Sequence, residues 1–440
     1  MKTEVYSMEL ILICLSSALI GGLLMSRLAK KAGLPAVTAY LVAGLLLGPF
    51  CLGALGLPGL GFNSLDQVAG FNIISQAALG FIAFAIGDEF RLEQLRSMGS
   101  RAIIVGVAQA VVTTLIVDAA LVSLHFLNPA LISLPSAITL GAIAAATAPA
   151  ATLMVVRQYK ADGPLTHLLL MVVAIDDAVG LVLFSASFGI ASAMESGVVS
   201  LVTVLVEPVI EIVLSLLLGA AAGALLHCME QFFHSRSKRR TLSIAFVLLT
   251  VGLSMVEFQV GGVRIGFSLL LVCMMAGTVF CNICRTSQEI MERVDHWTAP
   301  LNVLFFVLSG AELNLGVLSH PTVLLVGVIY ILFRSLGKCF GAYASCAATG
   351  CDAKIKRYLG ITLLPQAGVA LGMALTAQAL QGGEMVRNVV LFSVLVYELV
   401  GPTLTKRSLI AAGEINPEGK TSARTVNVPK KPFSLLGHSR

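Results

Sequence analysis

Two aspartates stand side by side in the run MVVAIDDAVGLVLF, residues 171–184, where every other side chain is uncharged. On insertion scales an ionised aspartate at the centre of a membrane helix costs roughly 2.5 to 3.5 kcal/mol, so Asp176 and Asp177 point to chemistry rather than to packing. A second apolar run, TVLLVGVIYILFRSLGKCFGAYASC, carries Arg334 and Lys338. Four residues apart, they share one helical face. Neighbouring residues on a helix point about 100° apart, so one aspartate can face the lysine while the other faces a cavity. The first is neutralised. The second must take up a proton or hold a cation, because a bare carboxylate is not tolerated at low dielectric. A carboxylate at which H⁺ and a monovalent cation compete is the minimal unit of exchange. The alternative for Arg334 and Lys338 is to snorkel to the nearer membrane face.

Such groups need backbone oxygens and a watered cavity around them, and two further runs supply breaks of the right kind. LPSAITLGAIAAATAPAATLMVV has Pro149 in mid-run, just after Thr147 and Ala148, and YLGITLLPQAGVALGMALTAQAL has Pro365, Gln366 and Gly368. A proline removes a helical hydrogen bond and frees carbonyls, which hydrocarbon tolerates only where the backbone is buried in protein or lines a cavity.

Those elements belong to a chain that is 57% hydrophobic and only 12% charged, with a mean hydropathy of +0.91. Runs long enough to span a bilayer fall near 8–27, 35–56, 68–88, 102–126, 134–156, 164–190, 198–228, 241–257, 262–281, 299–318, 321–348, 358–380 and 387–404. The reading is an all-α polytopic membrane protein of about thirteen spans. Apart from Arg334 and Lys338 inside a span, the basic residues gather in alternate loops, and only Lys2, Arg264 and Arg387 fall in the opposite set. The positive-inside rule then puts the N-terminus outside and the C-terminus in the cytoplasm, in the cell (inner or plasma) membrane. The net charge of +5 is thus a topology signal, and no nucleic-acid partner is read from it. The broken runs are the fifth and twelfth, an odd offset, so they cross the bilayer in opposite senses. An inverted-topology repeat predicts this, with the ion site at the repeat interface.

The quoted motifs, AIDDAVG, TAPAAT, RSLGK and LLPQAGVALGMAL, resemble the monovalent cation:proton antiporter superfamily, specifically its bacterial electrogenic sodium/proton antiporter branch. The resemblance implies a fold with crossed broken helices, working as an elevator. The exchanger domain would be 1–407, with a core of about 102–190 and 321–404, a dimerisation part of about 8–88 and 241–318, and a linking helix near 198–228. Residues 408–440, polar and proline-containing, would be a disordered cytoplasmic tail. The resemblance further implies that Asp177 binds both cation and proton, and that Asp176, its partner at the Na⁺ or Li⁺ site, pairs with Lys338. Thr147 would supply a hydroxyl, and the unwound backbone at Ala148, Pro149, Pro365, Gln366 and Gly368 would line the site. Related proteins often carry an acid where this chain has Ala148. Arg334, Glu398 and Asp118 have structural or pathway roles in this reading, Glu398 by pairing with a core arginine and Asp118 by lining an outer funnel or meeting a neighbouring helix.

The expected function is therefore exchange of protons for Na⁺ or Li⁺ by a homodimer in the lipid bilayer, without a cofactor and without catalysis. A K⁺/H⁺ exchanger or a sodium-coupled symporter on the same repeat is the alternative. An intramembrane aspartyl protease would need its two aspartates on separate helices, whereas these are adjacent on one. The single CxxC, Cys281 and Cys284, has no second pair and reads as packing.

Overall fold

The structure is a computed structural model that describes residues 8–32, 34–57, 59–196, 207–256, 258–260, 263–313, 315–316 and 320–415. Helix occupies each of the apolar runs. In chain order α1 is Met8–Lys31, α2 Ala36–Leu47, α3 the short Leu65–Ala69, α4 Asn72–Ile86 and α5 Leu92–Leu127. The first broken run gives α6, Leu134–Ile143, and α7, Pro149–Tyr159. The double aspartate lies on α8, Pro164–Ser196. There follow α9 (Glu207–Glu230), α10 (Arg236–Ser254), α11 (Leu269–Ile283), α12 (Ser287–Glu312) and α13 (Pro321–Ala348). The second broken run gives α14, Ala353–Thr362, and α15, Gly368–Thr376, and the described chain closes with α16, Gly383–Ala412. Among the described residues, seven helices are long and apolar enough to cross a membrane by length and composition.

Several boundaries differ from the hydropathy reading, each for a local reason. α5 begins at Leu92 rather than near 102, and α12 at Ser287 rather than near 299, because their polar first turns are good helix formers that hydropathy counts as loop. The run expected from 262 opens instead on an antiparallel hairpin, Phe258–Val260 with Val263–Ile265, and α11 starts only after Ser268 accepts a hydrogen bond from Leu271 N. Helix α2 stops at Leu47, well short of 56. At the C-terminus, α16 runs to Ala412 and so overtakes the expected tail boundary at 408. Residues 198–206 of the expected linking helix and 416–440 of the expected tail lie outside the described residues.

The breaks follow from proline chemistry. Ser133 caps α6 by accepting from Ser136 N; after α6 ends at Ile143, Ala148, turned away from helical angles by the following proline, adopts φ −85°, ψ 103° ahead of α7. Pro149 then opens α7, where its missing N–H is harmless. Pro365 interrupts the second run in the same way, between α14 and α15.

Two apolar clusters join α5 to α8 with α13 to α16. Two others lie in the remaining helices, one among α1, α2 and α12 and one among α4, α9, α10, α11 and α12. The helices α8 and α16 are also capped reciprocally. The Glu414 carboxylate, just past the end of α16, accepts from Leu165 N at 2.7 Å, Thr166 N at 2.7 Å and Thr166 Oγ1 at 2.6 Å at the start of α8. Glu195, in the last turn of α8, accepts from Gln381 N ahead of α16 at 3.0 Å. Each carboxylate meets open N–H groups and the positive end of a helix dipole.

Candidate functional site

The two interrupted stretches cross, and nearly every carbonyl freed by the breaks is met. Ala148 N donates to Pro365 O at 2.8 Å, tying one stretch directly to the other. Arg334, fully buried on α13, spreads its guanidinium over both: Nε donates to Ala144 O at 3.1 Å, Nη2 to Ala146 O at 2.7 Å and Nη1 to Leu364 O at 2.7 Å. The Tyr397 ring supports it from α16, its centroid 4.5 Å away. Gln366 Nε2 takes Ile143 O at 3.2 Å and Tyr330 Oη at 3.0 Å, while its Oε1 accepts from Ser393 Oγ at 2.7 Å. Arg334 is therefore a brace for unwound backbone. It does not snorkel.

Lys338, one turn further along α13, is also fully buried. Its ammonium lies 2.9 Å from Asp176 Oδ2, 2.9 Å from Thr147 Oγ1, 3.0 Å from Gln109 Oε1 and 2.5 Å from Ala145 O. Asp176 is saturated in turn. Its Oδ2 accepts from Lys338 and, at 2.6 Å, from Thr147 Oγ1, and its Oδ1 accepts from Gln109 Nε2. A charge removed from water this completely is held by the charge opposite and by filled hydrogen-bonding positions.

Its neighbour is treated differently. Asp177 is 8% exposed, and among the described residues no protein group donates to its buried Oδ1. The adjacent carboxylates thus divide as spacing on a helix allows, one consumed by the lysine and one left open. Among the described residues of the constellation, that oxygen is the only buried side-chain atom without a hydrogen-bond partner.

The remaining expected positions sort as follows. Thr147 touches the ion pair directly, Ala148 holds the crossing, and Pro149 and Pro365 shape it. Gln366 turns toward Tyr330 and Ser393, and Gly368 opens α15. Asp118, on α5, has an unbonded buried Oδ1 pressed against α6 at Gly141, where a Cβ would fall 1.7 Å from it. The expected pairing of Glu398 with a core arginine is not formed. Arg334 spends its donors on carbonyls, and no cation pairs with the buried Glu398 among the described residues.

Gln109 was invisible to the sequence reading. It is the lone amide of VGVAQAVVTTL, and that isolation in an apolar run was the available signal. Cysteines 281 and 284 are buried, with Cys281 Sγ on Thr278 O at 3.2 Å.

The fold has counterparts. A structure titled as the sodium proton antiporter MjNhaP1 from Methanocaldococcus jannaschii at pH 8 superposes with a TM-score of 0.65 at 19% identity, covering 92% of this chain and 97% of that one. An electron-microscopy structure of the same antiporter gives 0.71 at 18% identity, with 94% and 100% covered. Identities this low speak for the fold alone. The sequence profile of the transmembrane sodium/hydrogen exchangers matches residues 15–411, nearly the whole chain, and the protein is a multi-pass membrane member of that family.

Proposed function

We propose that this protein exchanges protons for Na⁺ or Li⁺ across the cell membrane, with Asp177 as the carboxylate that alternately holds the cation and a proton. One observation carries the reading: of two adjacent buried aspartates, Asp176 has every oxygen bonded and Asp177 has a buried oxygen that no protein group among the described residues reaches. An open acid buried at membrane depth needs either a proton or a metal cation beside it. Among the described residues no three His, Cys, Asp or Glu side chains converge, which suits a singly charged ion better than a divalent one.

The Asp176–Lys338 pair serves as counterweight. A cation drawn between the two aspartates displaces the ammonium from Asp176. That ammonium, in a desolvated site without its counter-charge, gives up a proton, so two protons move for each monovalent cation and the cycle carries net charge. A potential of 100 mV then contributes about 2.3 kcal/mol per charge. Alternating access is an elevator motion of the α5–α8 and α13–α16 group against α1–α4 and α10–α12, which form the homodimer contact, with α9 linking the two and the basic loops in the cytoplasm. The contacts of Arg157 with Asp295 and of Gln158 Oε1 with Ala36 N, the latter at 2.8 Å, join the two groups at the basic end.

Reconstituted in liposomes under an imposed pH gradient, the protein is expected to move Na⁺ and Li⁺, with flux that responds to a clamped potential. Asp177→Asn is expected to abolish exchange, since an amide neither takes a proton in this range nor offsets a cation. Wild-type-like Na⁺-dependent proton flux in that variant would remove Asp177 from the site. Flux with K⁺ alone would make the protein a K⁺/H⁺ exchanger.

A further inference from the structure

Gln109 holds the two members of the buried ion pair with the two ends of one amide. Its Nε2 donates to Asp176 Oδ1 and, at 3.1 Å, to Gly106 O, while its Oε1 accepts from Lys338 Nζ at 3.0 Å. The side chain is fully buried and its orientation is forced: turned over, the amide would set its NH₂ against an ammonium and its oxygen against a carboxylate. The helix contact behind it is equally specific. Gly337 and Gly341 on α13 lie against Thr113 and Gln109 on α5, where a Cβ at either glycine would come to 2.9 Å from Thr113 Cα or 3.0 Å from Gln109 Cα. Small residues four apart let the two backbones approach. That approach brings the amide within reach of Lys338.

From this arrangement we infer that Gln109 is a positioning residue that withholds Asp176 from the transported cation. The inference rests on the reading of Asp177 as the cation-binding carboxylate. With Lys338 and Thr147 on Oδ2, the one Asp176 oxygen that a cation at Asp177 could share without first displacing the lysine is Oδ1, and the amide occupies it. As long as the ion pair stands, the cation meets one carboxylate. When Lys338 leaves, the amide loses the partner that fixes its orientation and can release Oδ1, so that both aspartates face the ion. Gln109 thereby links the position of the lysine to the number of carboxylates offered to the cation, and it sets apparent affinity without touching the ion.

Two variants test this. Gln109→Leu and Gln109→Met keep the bulk and remove both hydrogen bonds without adding a charge. Both are expected to free Oδ1 and lower the KM for Na⁺ about tenfold, the worth of one hydrogen bond to a charged group. They should also lower kcat, since the site then holds its ion more tightly in the ground state. The same shift is expected in the Na⁺ concentration that half-maximally raises the melting temperature of the purified protein, a readout that requires no transport. A merely structural role would depress kcat or yield and leave KM and that midpoint in place. Folded variants with both values within twofold of wild type, or raised, would overturn the inference. So would failure of both variants to fold, which would make the amide a prop for the α5–α13 contact. Absence of wild-type Na⁺ and Li⁺ flux together with shifted melting midpoints in the variants would sink the exchanger reading and leave the role of Gln109 standing.

Discussion

The two crossing breaks are each built on a proline, yet they are held by different chemistry. Carbonyls of the first stretch, Ala144 to Ala146, are taken by full charges: two by Arg334 and one by Lys338. The second stretch gives only Leu364 O to a charge, and its own side chain, Gln366, fixes it through neutral bonds to Ile143 O, Tyr330 and Ser393. Whatever changes the charge at Lys338 is therefore felt at once by the first stretch, through Ala145 O and Thr147. The second stretch is a strut. In an inverted repeat, equivalence of backbone has not required equivalence of function.

The sharpest way to break that comparison is to remove the charge on the first stretch. Lys338→Met leaves Asp176 buried without compensation and should destabilise the protein by about 3 to 5 kcal/mol. Adding Asp176→Asn should recover most of the loss, as read by melting of the purified protein. In liposomes the residual flux of Lys338→Met should no longer respond to potential at a fixed pH gradient. If its flux keeps the wild-type response, the lysine does not carry the second proton.

Arg334→Lys should come next. A lysine cannot span three carbonyls on two chain segments, and each buried carbonyl left without a donor costs about 1 to 3 kcal/mol. A loss of about 2 to 4 kcal/mol is expected, with both stretches gaining amide exchange. Protection changes confined to one stretch would show that the guanidinium does not bridge them.

Gln366→Leu should have the smallest effect on transport. Its three bonds are neutral, worth about 0.5 to 1.5 kcal/mol each to stability, and exchange should survive with unchanged dependence on potential. A folded Gln366→Leu protein that transports nothing would put chemistry on the second stretch and end its description as a strut.

Much of this was legible before the structure. Paired acids in a run of Val, Leu and Ala cannot be read as packing, two prolines at matching places in opposed spans cannot both be casual, and apolar length alone located the helices. What escaped has physical causes. The α5 and α12 starts were missed because a helix emerging from the membrane turns polar without unwinding. The target of Arg334 was hidden because unwound carbonyls carry no sequence signature, and the core arginine expected to pair with Glu398 is consumed by them. Gln109 escaped for another reason. Its importance is set by two glycines more than 200 residues away that let α5 and α13 close, as the 229-residue separation of the Gln109–Lys338 bond shows.

The cap on α8 has a consequence for the making of the protein. The helix with both aspartates has its first N–H groups satisfied by Glu414, 249 residues later in the chain. At roughly 5 to 20 residues per second, a ribosome reaches that glutamate some 10 to 50 s after it has made Leu165. During that interval the start of α8 is a helix end with open donors, available to lipid headgroups or to chaperones. Assembly of the ion site is therefore expected to wait for α16 and the residues that follow it.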